Sequence, residues 1–200
     1  MNSVLPSVFQ PQLTVDRLTT IANWFLEELY ATEDDLVRNT DSPYTLGTTR
    51  FGRQKSRIVI EFLTGNHNWL GLQNAANDLV FTIEGIPCRF SNDNASSPTK
   101  SAVLEPHRFQ MPLIEAAEPG QAVRFCFVID RGPSESEEPR VELLGFASNN
   151  DVVCRWRSNS LSGRPLVDVK RSAPQPVEIA KPIVAPKRRD SGDEANAVGT

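Results

Sequence analysis

The sequence is poor in the residue types that most enzyme chemistry relies on. Its 200 residues include three cysteines and two histidines. Cys88, Cys126 and Cys154 stand far apart, so no C-x-x-C unit exists for zinc binding or thiol redox work. Each lies in an apolar, strand-like run, where an unpaired cysteine acts as a small buried hydrophobe. An odd count without framework spacing fits a reducing compartment. His67 and His107 are solitary, each in a polar or turn context that suits a surface or capping role. The chain has no GxxxxGK[ST] or GxGxxG loop, no GxSxG elbow, no HExxH and no EF-hand loop. Neither a metal nor another cofactor is therefore expected. No apolar run is long enough to cross a membrane. The opening Met-Asn-Ser-Val-Leu-Pro-Ser lacks a basic n-region and an apolar h-region. No signal peptide is expected, and the expected location is cytoplasmic. Asn94-Ala95-Ser96 matches a glycosylation acceptor but reads as a loop by composition.

What is present is the composition of an ordinary globular domain, 39% hydrophobic and 23% charged. A domain of about 150 residues buries roughly two thirds of its unfolded surface, enough for one core without staples. The net charge of −4 is unevenly spread. Residues 161–200 hold seven Lys/Arg against five Asp/Glu, which leaves −6 for the rest. An acidic body argues against strong non-specific nucleic-acid binding, which comes from neutralising phosphates.

Pro6 and Pro11 mark residues 1–12 as a flexible leader. Then Val15, Leu18, Ile21, Ala22, Phe25, Leu26 and Leu29 recur at three- and four-residue spacing. That is one apolar face of a helix from about Val15 to Ala31, with Thr14 as N-cap and Asp16 in the first turn. Thr32-Glu33-Asp34-Asp35 resembles a capping box for a short second turn to Arg38, ended by Asp41-Ser42-Pro43. The period then drops to two. Thr48–Arg53 and Arg57–Leu63 read as strands. Leu79–Ile83 and Ile86–Ser91, joined by Glu84-Gly85, read as a hairpin. Asn92 to Lys100 is a loop, and Arg108–Ile114 an edge strand, since Pro112 cannot donate to a ladder. Ala122–Asp130 and Arg140–Ala147 form a second hairpin across an acidic loop, and Val152–Arg157 a last strand.

These elements predict an α+β domain over residues 13–160. An amphipathic N-terminal helix packs on a mainly antiparallel sheet or partly open barrel. Beyond it, residues 161–200 are Pro-rich and expected to be a disordered tail, because their apolar content cannot offset ordering entropy.

Three features could carry function. Arg50, Arg53, Lys55 and Arg57 form a basic stretch suited to phosphate or an acidic partner. Equally, they balance the acidic first helix and Glu33-Asp34-Asp35. The tail offers Ile179, Ile183 and Val184 in apolar islands between prolines, then Lys187, Arg188 and Arg189, a pattern that can dock in extended form on a partner. Lastly, Asp78 opens the Leu79–Ser91 hairpin. Its spacing resembles the central hairpin of the PD-(D/E)xK nucleases, which place an acidic metal ligand there and an acid-x-Lys on the next strand. The family's acid and lysine positions hold Arg89 and Ser91 here, and an arginine would repel the metal. The resemblance spans one hairpin. The segment reads as a common β-hairpin, and the alternative that the resemblance implies is a degenerate nuclease-like scaffold.

The expected function is a non-enzymatic binding or accessory module, acting through contacts with a protein partner and using the tail. The alternative is a nucleic-acid-associated protein on that degenerate scaffold, using residues 50–57. An enzyme of another type would draw on Asp78, Glu84, Glu61 or His107, with Asp130 and Glu105 as further candidates to flank a site.

Overall fold

The computed structural model describes residues 4–159, apart from 112–113, 115–119 and 133–136. Those residues belong to the compact unit Met1–Ser162. The tail residues Ile179, Ile183, Val184, Lys187, Arg188 and Arg189 lie outside the described residues. The elements are α1 (Pro6–Phe9), α2 (Val15–Asp35), α3 (Pro43–Thr64), β1 (Leu70–Asn74), β2 (Val80–Ile83), β3 (Ile86–Asn92), α4 (Ser101–Leu104), a 3-10 turn (Arg108–Gln110), β4 (Arg124–Asp130), β5 (Arg140–Phe146) and β6 (Val152–Arg157). The expected α+β class holds. The six strands form one open sheet in sequence order, so the half-barrel alternative does not apply.

The predicted first helix is present and longer than expected. It does not stop at Ala31, because Thr32 is fully buried and its hydroxyl donates to the Glu28 carbonyl at 2.7 Å. Thr32 thus faces the core inside α2 instead of capping a second turn. Leu18, Ile21, Trp24, Phe25, Leu26 and Leu29 are all buried, each worth about 1.5–3 kcal/mol of transfer free energy.

The strands expected at Thr48–Arg53 and Arg57–Leu63 are both parts of α3. Ser42-Pro43 starts this helix instead of ending one: the Ser42 hydroxyl accepts from the Thr45 amide at 3.2 Å, and Pro43 takes the first turn. Gly65 closes it at φ 68°, a left-handed cap that favours glycine. The buried positions of α3 are Arg50, Gln54 and Ile58, four residues apart. Two are polar, so the true period was invisible to an apolar pattern. Ile60 and Leu63, taken as strand residues, are exposed on the far side.

The hairpin at β2–β3 forms as read. Glu84 and Gly85 both take positive φ, 47° and 84°, as a two-residue turn matched to strand twist requires. The fold adds β1, which pairs antiparallel with β2 and has no counterpart in the sequence reading. The expected edge strand at Arg108–Ile114 begins instead as the 3-10 turn, with His107 Nδ1 accepting the Phe109 amide.

Two antiparallel meanders, β1-β2-β3 and β4-β5-β6, meet along one parallel seam between β3 and β4. Alternation sends Phe125, Phe127 and Ile129 of β4 toward the helices and Arg124, Cys126, Val128 and Asp130 to the opposite face. Helix α2 reaches both sides of the seam: Phe25 stacks on Phe90 of β3 at 4.9 Å and meets Phe127 of β4 edge-on at 5.9 Å. Ala95 and Val103, from the crossover, pack on the opposite face. All three cysteines are free and buried, as the sequence implies.

Candidate functional site: a cleft at the ends of the parallel strands

Parallel strands end together, so the loops leaving them open a crevice at their carboxyl ends. Here β3 ends at Asn92 and β4 at Asp130, and the cleft beyond them has a volume of about 920 Å³. Gly47, Thr48, Arg50 and Phe51 of α3 form one wall. Asn77 and the start of α4 form another, and Phe90 and Ile129 contribute to an apolar interior.

The acidic groups of the cleft are already satisfied. Asp93 accepts the amides of Thr99 and Lys100, each at 2.8 Å, and of Asn94 at 2.9 Å. Burial works against its charge, but these amides outweigh burial and hold the carboxyl below its ordinary range. Asp130 takes the Ala95 amide at 3.1 Å, the Gly132 amide at 2.8 Å and Arg140 at 3.1 Å. The crossover loop is thereby fixed to the ends of both parallel strands.

Behind the lining residues Arg50 and Asn92 runs a polar seam between α3 and β3. Gln54, fully buried, donates to the Phe25 carbonyl at 3.3 Å and accepts from Asn92 Nδ2 at 2.7 Å. Arg50, also buried, donates through one terminal nitrogen to Glu33 at 3.1 Å. Glu33 takes Arg131 Nε on the same oxygen, at 3.1 Å. Burial first, and then Arg131, lower the pKa of Arg50, with Glu33 opposing. Two buried atoms here have no partner: the Nε donor of Arg50 and the Oδ1 acceptor of Asn92.

No family model, curated protein or solved structure matches this chain.

The basic stretch does not form a free cationic surface. Arg50 pairs with Glu33, Arg53 with Asp35 at 2.8 Å, and Arg57 with Glu27 at 3.1 Å, Glu28 at 3.5 Å and Glu61 at 2.8 Å. Lys55 makes no ion pair among the described residues. Three of the four cations are thus paired with carboxylates of α2, between two helices instead of from the strands expected over residues 48–63. Of the other acidic candidates, only Asp130 lies at the cleft. Glu61 sits on α3 with Arg57, and Glu84 on the hairpin turn with Arg17.

Beside the cleft, sharing Asn77, Ser101 and Ala102 with it, is a smaller cavity of about 360 Å³. Asp78, Arg89 and His107 meet there. The Asp78 carboxylate is bound by Arg89 through one oxygen and by His107 Nε2 at 3.1 Å through the other. The nuclease-like position therefore neutralises an arginine. No three His, Cys, Asp or Glu side chains lie close enough to hold a metal among the described residues. No described helix is long and apolar enough to cross a membrane.

Sequence reasoning singled out Arg50 and Asp130 but had no means to bring them together. It missed Gln54 and Asn92, whose one signal was a polar residue directly after a strand.

Proposed function

We propose that this domain is a non-enzymatic binding module that takes an extended segment of a protein partner into the cleft at the ends of β3 and β4. The observation that carries this reading is that two residues lining the cleft each hold a buried atom with no partner among the described residues, Arg50 Nε as donor and Asn92 Oδ1 as acceptor. A buried polar group without a partner costs about 1–3 kcal/mol. A peptide unit supplies both complements, a carbonyl for Arg50 and an N–H for Asn92, and its side chains suit the apolar lining of Phe51, Phe90 and Ile129. Asp93 and Asp130 are saturated by backbone amides and Arg140, so they shape the cleft and leave no carboxylate poised for acid–base work. The nucleic-acid reading finds less support, because Arg50, Arg53 and Arg57 are held by α2.

The test is selection of linear random peptides on the full chain, followed by binding to Gly47→Trp. A Cβ at Gly47 meets no atom within 4 Å, and Gly47 lines the cleft, so tryptophan is placed there to obstruct it, with the melting temperature of the variant as the check on folding. Enriched peptides should lose affinity at least tenfold, about 1.4 kcal/mol. Peptides that bind Gly47→Trp as tightly as the parent would refute this site, and so would a selection that enriches none.

A further inference from the structure

The Asp78–Arg89–His107 cluster has an asymmetry that an ordinary ion pair lacks. Its two donors are fixed from behind. Arg89, on β3, donates Nη1 to the Glu105 carbonyl at 3.0 Å. His107 accepts the Phe109 amide on Nδ1 at 3.3 Å, which leaves Nε2, 3.1 Å from Asp78, as the ring nitrogen that can donate. The donor side chains are 8% and 13% exposed, whereas the Asp78 side chain is 51% exposed. Asp78 reaches them from the solvent side, on the connection between β1 and β2. That connection is tied by its backbone: Asn74 donates to the Asp78 carbonyl at 2.6 Å, an anchor that does not use the carboxylate. Arg89 Nε is buried with no partner among the described residues. The cavity of about 360 Å³ in front of the cluster has room for a small group.

We infer that Arg89 and His107 form a carboxylate-binding site, and that Asp78 occupies it as an internal stand-in until a ligand carboxylate displaces it. Each oxygen of the bound carboxylate takes one donor, as the two Asp78 oxygens do now. Removing the anion with which a buried guanidinium is paired is costly. Exchange of one carboxylate for another is therefore the least costly way to release Asp78. This inference stands independently of the peptide reading, which concerns the neighbouring cleft.

The experiment uses the full chain carrying Asp78→Asn, which keeps the shape of the side chain and removes the competing charge. Sodium acetate is titrated against sodium chloride at matched ionic strength, with melting temperature and the imidazole NMR signals as readouts. The chain has two histidines, so His67 serves as the internal control. Acetate should raise the melting temperature of Asp78→Asn above the chloride series and shift the His107 signals saturably, with His67 still. The parent should bind acetate about tenfold more weakly or worse, because its own carboxylate holds the site. Acetate acting no differently from chloride would overturn the inference, and so would equal affinity in parent and variant. Should Asp78→Asn not fold, Asp78→Ser gives the same test with a smaller side chain. Failure of both variants to fold, unrescued by acetate, would also refute exchangeability.

Discussion

Glu142 is a carboxylate with no exposed surface, placed on β5 on the face away from the helices. Four nitrogens from three arginines converge on it: Arg140 Nε and Arg155 Nη1 at 3.1 Å, and Arg157 through Nε at 3.0 Å and Nη2 at 2.9 Å. Glu142→Gln changes the charge and two hydrogens while keeping the volume, so no cavity term enters. Removing one partner of a buried ion pair costs about 3–5 kcal/mol. The three arginine side chains are 22%, 29% and 55% exposed, so water recovers part of that, and glutamine still offers one acceptor. The expected loss is about 2–3 kcal/mol, roughly 5–10 °C in melting temperature for a chain of this size. Urea unfolding followed by tryptophan fluorescence measures it. Arg157→Gln is the contrast, expected to cost at most about 1 kcal/mol because that side chain is mostly solvated. If Glu142→Gln costs no more than Arg157→Gln, the carboxylate is not the hub of the network and the burial argument is wrong.

Two further outcomes follow from the core. Burial pushes the Cys126 and Cys154 thiols up to about 12, and raises Cys88 as well. A raised folded pKa means stability is fully present below the unfolded thiol pKa and is lost as pH rises from about 9 toward 12. A thiol reagent at neutral pH should therefore leave the folded chain unlabelled and react with all three cysteines in urea, while unfolding titrations show the alkaline decline. Gly145→Ala should cost about 1–3 kcal/mol. The new Cβ would overlap the Cys154 sulfur and press on Phe125 at 3.1 Å and Ala122 at 3.3 Å. A midpoint unchanged in urea would show that the β5–β6 pair shifts to make room.

Legibility followed chemistry that is local. The β2–β3 hairpin could be read because Glu84-Gly85 declares a turn type within two residues. Helix α2 could be read because its buried face is apolar from Leu18 to Leu29. Helix α3 could not, because Arg50 and Gln54 occupy its inward face and bond to Glu33, Phe25 and Asn92, partners remote in sequence. What remained visible was Ile58, Ile60 and Phe62, which mimic a strand. Strand β1 offered Leu70-Gly71-Leu72, too short and too weakly β-forming to stand out, and its glycine reflects a tertiary fact, the Thr82 side chain packed where a Cβ would lie. The cleft was illegible for the same reason as α3. Asn92, on its lining, is held through Gln54 to the Phe25 carbonyl by hydrogen bonds across separations of 38 and 29 residues, and no spacing rule encodes such a chain.

The parallel seam has one more consequence. Every other strand pairing is antiparallel and joined by a shorter connection, whereas β3 and β4 must find each other across the whole crossover. The cleft lies at the end of that join, with Phe90 and Asn92 on one meander and Ile129 and Asp130 on the other. Whatever fills it therefore works as a clasp across the joint that is slowest to close. At a hundredfold excess over its dissociation constant, such an occupant adds about 2.7 kcal/mol to the resistance of the fold.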